Sequence, residues 1–288
     1  MGKSGGVIDT ETAVRVAVAV AREQGLRVEE PTVLKDSYNV RVHLRPAPVV
    51  ARVPTVTALA RPRPEEVLRR ELDIVSFLDE RGFPVVPPSP RADPGPHVRD
   101  GVAVSFFTHV RIDPERAVTA EDVGRALAGL HEALRSYPGE LPVYGPVLDE
   151  PARLLDLLEP GLRPHETARL RDEHAALAAA LPRAGLRPVH GDAHPGNLLP
   201  TEDGLLWNDF EECMAAPAGW DLAVMRDTRQ ADGRAAVAAY GADPDDPGLE
   251  VYRRARRLQA VLWQLAKGLR SPGYMGAGRE ALREWLRA

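Results

Sequence analysis

The chain has 288 residues, a formal net charge of −5 and one cysteine, Cys213. A lone cysteine excludes an internal disulfide and a cysteine-rich zinc site, and it suits the reducing cytosol, so a cytoplasmic protein is expected. The mildly acidic balance gives no support for nucleic-acid binding, no apolar run approaches the ~18 residues that span a bilayer, and the Met-Gly-Lys-Ser-Gly-Gly start lacks the apolar core of an export signal.

In chain order, Asp9 or Thr10 caps a first helix ending at Gly25, with Val14, Ala17, Val18 and Ala21 on one face. Pro31 to Leu44 and Val49 to Val53 read as two antiparallel strand segments around the turn Arg45-Pro46-Ala47-Pro48. A helix from Glu65 to Glu80 follows, stopped by Gly82 and Pro84. Its apolar stripe, Leu68, Leu72, Val75 and Leu78, contains Glu71, a carboxylate that needs a partner there. Pro87 to Pro96 is a stiff, extended connection, and Gly101 to Phe107 is another strand. The character then changes. Thr119 starts a helix with Val123, Leu127, Leu130 and Leu134 on one stripe, a second runs from Glu166 to Leu181, and the chain from Trp220 on is mostly helical. One β segment, around residues 187 to 209, interrupts this half. The expected class is α+β, with a small first lobe (1–109: antiparallel sheet and one main helix) and a larger, mostly helical second lobe (110–288).

The chemistry concentrates in the stretch from Val189 to Glu211. Glu202-Asp203-Gly204 is a turn signal between apolar runs, so residues 197 to 209 should form a hairpin. If it is symmetric about Asp203, Asn197 and Asp209 face each other at its open end, with Cα atoms ~4.5–5.5 Å apart. An amide oxygen and a carboxylate so placed suit Mg²⁺, which takes its remaining ligands from water and phosphate. Asp192, in the loop entering the hairpin, is positioned to orient or deprotonate a hydroxyl. That is the layout of phosphoryl transfer.

The spacing from Asp192 to Asn197 and on to Asp209 resembles a kinase catalytic loop followed by its metal-binding Asp. The form His190-Gly191-Asp192, with Asp209-Phe210-Glu211 and the trailing Pro217-Ala-Gly-Trp-Asp221-Leu-Ala, resembles the aminoglycoside phosphotransferases and their choline-kinase-like relatives. The resemblance implies a bilobal protein-kinase-like fold and a phosphotransferase with an alcohol group as acceptor. Its cofactors would be Mg²⁺ and ATP or GTP as co-substrate, and its partner a small hydroxylated molecule. Asp192 would be the catalytic base, Asn197 and Asp209 the Mg²⁺ ligands, and His190 and Asp221 supports of the loop. Arg52 stands where the family usually has a lysine, with Glu71 as its partner. Lys35-Asp36-Ser37-Tyr38-Asn39 occupies the place of a glycine-rich loop without a glycine, so Ser37 and Asn39 are the phosphate contacts on offer. Phe107, His109 and Val110 resemble the hinge that meets the purine.

Glu211 and Glu212 lie beside the expected metal site and could bind an acceptor amine or assist the metal. His131 reads as a hydrogen-bonded core residue and His194 as a loop residue. Arg253, Arg254, Arg256 and Arg257 read as a solvated helix face, or as the border of an anionic substrate. Two rival readings stay open. His190-x-Asp192-x-His194 with Asp209 is a superficial metallohydrolase set. Arg52 and the missing glycines would also suit a pseudokinase that binds nucleotide without turnover.

Overall fold

The computed structural model describes residues 8–287. Period-two alternation sets the layering of the first lobe. In β2 (Asn39–Pro46), Val40, Val42 and Leu44 are buried and alternate with Arg41 and His43; in β3 (Val49–Pro54), Val49, Ala51 and Val53 alternate with Val50 and Arg52. The apolar set meets the helix α1 (Thr10–Glu23) in one core, and the arginines point to the opposite face. With β1 (Val28–Asp36), β4 (His97–Arg99) and β5 (Val102–Thr108) the strands form an antiparallel sheet in the order β1-β2-β3-β5-β4. The expected single segment from Pro31 to Leu44 is therefore two strands. The turn at Ser37-Tyr38 carries no Gly or Pro signal, and it is held from a distance: Tyr38 O accepts from the backbone N–H groups of Thr55, Val56 and Thr57.

Beside its main helix the lobe carries α1, at the place expected for the first helix. Asp9 caps α1 as expected, accepting from Thr12 N at 2.7 Å. Its buried face is Ala13, Val16, Ala17, Val20 and Ala21, rotated from the expected stripe, because alanines and valines on several sides leave the face ambiguous. The second helix, α2 (Pro64–Asp79), buries Leu68, Glu71, Leu72, Val75 and Leu78, and most of its apolar side joins the core of the second lobe.

In the second lobe, α3 (Ala120–Leu134) starts at a capping box of Thr119 and Asp122 and buries Val123, Leu127, Leu130 and Leu134. α4 (Gly145–Leu158) was not legible, since Pro146 and Pro151 read as breakers. Pro146 sits in the first turn, where it is tolerated. Pro151 lies inside, at a cost of ~3 kcal/mol that burial of Val147, Leu154, Leu155 and Leu158 offsets. α5 (Pro164–Ala180), α6 (Gly219–Arg226), α7 (Gly233–Tyr240), α8 (Glu250–Arg270) and α9 (Met275–Arg287) complete the helices among the described residues. α8 is the spine, packing against α4, α5, α6 and α9. Two short β pairs carry the loops: β6 (Arg187–Val189) with β9 (Met214–Ala216), which lies beyond the expected segment, and β7 (Leu198–Thr201) with β8 (Gly204–Trp207).

Candidate active site

The loop after β6 is built around one carboxylate. Asp221, wholly buried on α6, accepts from His190 N at 2.8 Å, Gly191 N at 2.9 Å and, with the proton on that nitrogen, His131 Nε2 at 2.9 Å. Gly191 has φ +88°, and a Cβ there would stand 2.1 Å from the carbonyl oxygen of Glu212, so no other residue fits without moving backbone. Trp220 Nε1 closes the loop by donating to Gly191 O at 2.7 Å.

His190 is spent on backbone. Its Nδ1 accepts from Asp192 N at 3.2 Å, and its Nε2 donates to Asn208 O at 3.1 Å. This is the neutral tautomer, and burial lowers the imidazole's pKa against the opposing pull of Asp221. The ring packs beside Trp207 and Phe210. It cannot share a metal with His194 and Asp209, which removes the metallohydrolase set.

The hairpin is symmetric, but not about Asp203. Leu198 pairs with Trp207 and Thr201 with Gly204, so the axis falls between Glu202 and Asp203. Asn197 therefore opposes Asn208, whose N–H donates to Asn197 O at 2.9 Å. Asp209 lies one residue past the ladder in a left-handed turn, φ +69°. Both side chains still line one cavity. Asn197 Nδ2 donates to Asp192 O at 3.0 Å and to Asp192 Oδ2 at 3.2 Å, which leaves its Oδ1 lone pairs free to ligate a cation.

Asp209 faces two arginines. Arg41 Nη2 donates to its Oδ2 and Arg52 Nη2 to its Oδ1, each at 2.5 Å. Burial alone would raise this carboxyl, but the two guanidiniums hold it well below the usual range. Arg52 also donates from Nη1 to Glu71 Oε1 at 2.8 Å, and Glu71 Oε1 accepts from Phe210 N at 3.0 Å. Burial pushes the Glu71 carboxyl up to about 7 although Arg52 opposes the shift. Glu211 belongs to the same buried network and also lines the cavity shared by Asn197 and Asp209. Its Oε2 lies 2.8 Å from Arg52 Nη2 and accepts from Arg61 Nη1 at 2.6 Å, and its Oε1 accepts from Asn39 Nδ2 at 3.0 Å. Arg61 runs on to Glu150 of α4 at 2.7 Å. Asn39 is thus a buried strut, held also by Thr57 Oγ1 at 2.7 Å, at the edge of the same cavity.

Two cavities meet here. The larger, about 620 Å³, is lined by Val50, Arg52, Phe107, His109, Val110 and Leu199, among others, and so holds the expected hinge residues. Two hinge N–H groups are already donated, Thr108 to Pro87 O and His109 to Pro48 O, and the His109 ring stacks on His43 at 3.8 Å. The smaller cavity, about 230 Å³, holds Asp192, Asn197, Asp209, Glu212, Arg256 and Trp263. Ser37 lines this second cavity and not the hinge-side one.

Arg256, Trp263 and Arg41 are among its residues that were not singled out as site residues. Arg256 donates to Asp192 Oδ1, so one member of the arginine run turns inward while Arg253, Arg254 and Arg257 pair with acids of the surface. Burial raises Asp192's carboxyl, but Arg256 and His194 outweigh it and hold the group low. Glu212 is the reverse case: burial and the neighbouring Asp192 charge push it up to about 8. Trp263 forms a cavity wall, and Arg41 guards Asp209. Arg41 had a sequence signal, an arginine at a cleft-facing position of an apolar alternation.

Residues 29–258 match the model of the phosphotransferase enzyme family, APH. Homoserine kinase of Methylobacterium sp. (strain 4-46) is 29% identical over 60% of this chain, and the match spans 60% of that relative's own length. Among solved structures, amicoumacin kinase with AMP-PNP and Ca²⁺ superposes with a TM-score of 0.66 at 14% identity, covering 95% of each chain. Choline kinase from Streptococcus pneumoniae gives 0.62 at 16% identity, over 95% of this chain and 99% of its own. The GDP complex of a wild-type aminoglycoside 2'-phosphotransferase gives 0.60 at 17%, over 94% and 96%. At these identities the likeness is one of fold: a bilobal, kinase-like α+β architecture.

Proposed function

The chain belongs to the phosphotransferase enzyme family, and on that premise we propose that it is a small-molecule kinase, moving the γ-phosphoryl group of ATP or GTP to a hydroxyl of a small acceptor. The observation that carries this reading is the convergence of Asp192, Asn197 and Asp209 on one cavity that adjoins a second, hinge-lined one. The nucleotide base would lie against Val50, Phe107, His109 and Val110, with its phosphates toward Arg52. Residues 1–109 would hold the nucleotide and 110–288 the catalytic and acceptor groups.

The donor atoms fit Mg²⁺. Asn197 Oδ1 and the Asp209 carboxylate are hard oxygens on one cavity, and the arginines on Asp209 mark it as a carboxylate built to face positive charge. When bound, Mg²⁺ would neutralise phosphate charge beside these two residues. In the transfer, the acceptor oxygen bonds to the γ-phosphorus as its proton passes to Asp192. The bond from phosphorus to the β–γ bridging oxygen breaks, and the nucleoside diphosphate leaves with that electron pair.

The cavity also narrows the acceptor. At about 230 Å³ it is below the ~300–1,000 Å³ of sites for drug-sized ligands. Arg256 occupies Asp192, so a proton acceptor is freed best by an acceptor with an anionic group that takes the guanidinium over. Glu212 offers a carboxyl for an amine. A small hydroxylated amino acid meets all three demands, in line with the homoserine kinase relative.

Calorimetry with ATP and GTP, each with and without Mg²⁺, is the first test. A coupled assay of nucleoside diphosphate release on homoserine, choline and kanamycin is the second. Mg²⁺-dependent nucleotide binding and homoserine turnover are expected. Binding without turnover of any acceptor would identify a nucleotide-binding scaffold, and no binding at all would sink the kinase reading.

A further inference from the structure

Three cations stand in a row across the first three strands. Lys35 on β1 is the register partner of Arg41 on β2, and Arg41 is the register partner of Arg52 on β3. Directly opposed residues share a face, so all three project from the side away from α1. Like charges opposed across strands destabilise a sheet, so the row needs anionic company. Asp209 supplies one carboxylate to Arg41 and Arg52, while Glu71 and Glu211 satisfy the far side of Arg52. Among the described residues Lys35 makes no ion pair. The row is under-compensated at the end that opens to solvent.

Its position is specific. Of all the residues lining the two cavities, only Lys35 and Arg41 line both. A phosphoryl group passing from nucleotide to acceptor crosses the border between those cavities. The charge that develops on its oxygens in flight is what a phosphotransferase must stabilise.

Resting on the kinase reading above, we propose that Lys35 and Arg41 are γ-phosphate-binding residues that grip the phosphoryl group in transit, doing with side-chain cations what a glycine-rich loop does with backbone N–H groups. Arg41 then has two partners: Asp209 in the free protein and the γ-phosphate in the nucleotide complex, the exchange leaving the Asp209 carboxylate open to a cation. The absence of glycine from Lys35–Asn39 follows, because the backbone of that turn is not asked to approach phosphate.

The test compares nucleotides that differ in the γ-position. Affinities of ADP, AMP-PNP and ADP with aluminium fluoride, all with Mg²⁺, are measured by calorimetry for the wild type, Lys35→Gln, Arg41→Gln and Arg41→Lys. The expected result is a loss of 10–100-fold for AMP-PNP and at least as much for the aluminium fluoride complex. ADP should weaken less than threefold, and Arg41→Lys should fall between Arg41→Gln and wild type. Lys35 is exposed on an edge strand, so its variant stays informative even if loss of Arg41 unsettles the fold. Equal losses for ADP and AMP-PNP, or no loss for either, would overturn the assignment while leaving the kinase reading intact. A wild type that binds no nucleotide would overturn both.

Discussion

Replacing Asp221 removes the single group that shapes the catalytic loop. Its two oxygens accept from His190 N, Gly191 N and His131 Nε2, all buried. In Asp221→Ala these donors lose their acceptor at once. Each unsatisfied buried donor costs ~1–3 kcal/mol, so roughly 3–6 kcal/mol is lost after partial relaxation. That is a large share of the ~5–15 kcal/mol of a typical domain. Asp221→Asn is the sharper probe, because it keeps the shape and one acceptor oxygen. Its amide N–H₂ must face a backbone N–H, which costs about 2–3 kcal/mol. Urea unfolding followed by tryptophan fluorescence and circular dichroism would report both, through the shift in midpoint at constant slope. If Asp221→Asn lies within 0.5 kcal/mol of the wild type (about the noise of a surface substitution), the loop is held by something other than this carboxylate.

Asp192→Asn should leave nucleotide affinity within about threefold and cut kcat by ~10²–10⁴, the usual worth of a general base; near-normal kcat would remove Asp192 from the mechanism. Gly191→Ala places a Cβ against the Glu212 carbonyl at a left-handed φ, and unfolding should show a loss of about 2–5 kcal/mol. Glu212 makes a prediction about pH. Its carboxyl is raised from 4.5 to about 8 in the folded protein, so the unfolded chain gives up this proton first. Its contribution to stability therefore falls as pH climbs from about 5 to 8. Glu212→Gln should flatten that fall in urea midpoints taken across the window, and parallel wild-type and variant curves would count against it.

Legibility followed locality. The capping signals of α1 and α3, the stripe of α2 with Glu71 inside it, and the spacing from His190 to Asp221 are short-range patterns, and the sequence carries them openly. What it hid was decided by distant contacts. The turn at Ser37-Tyr38 depends on N–H groups from Thr55 to Thr57, and α4 survives its internal proline through burial against α8. The hairpin axis shifted by half a residue, because two turn residues rather than three suffice, and this moved Asp209 off the ladder. Arg256 illustrates the site's limit: nothing in a run of four arginines says which one turns inward, since the choice is made by the phase of α8 against Asp192.

Arg52 is fixed on several sides by buried carboxylates. One guanidinium meets Glu71 through Nη1 and both Asp209 and Glu211 through Nη2, and Glu211 in turn is shared with Arg61, which reaches α4 through Glu150. A lysine offers one charge at a single point and cannot span that fork. A lysine at position 52 would give up part of this fork, and Glu71, Asp209 and Glu211 would fall back on Phe210 N, Arg41 and Arg61. The fork of Arg52 is thus one end of a buried tether that runs from the sheet through Glu211 and Arg61 to α4.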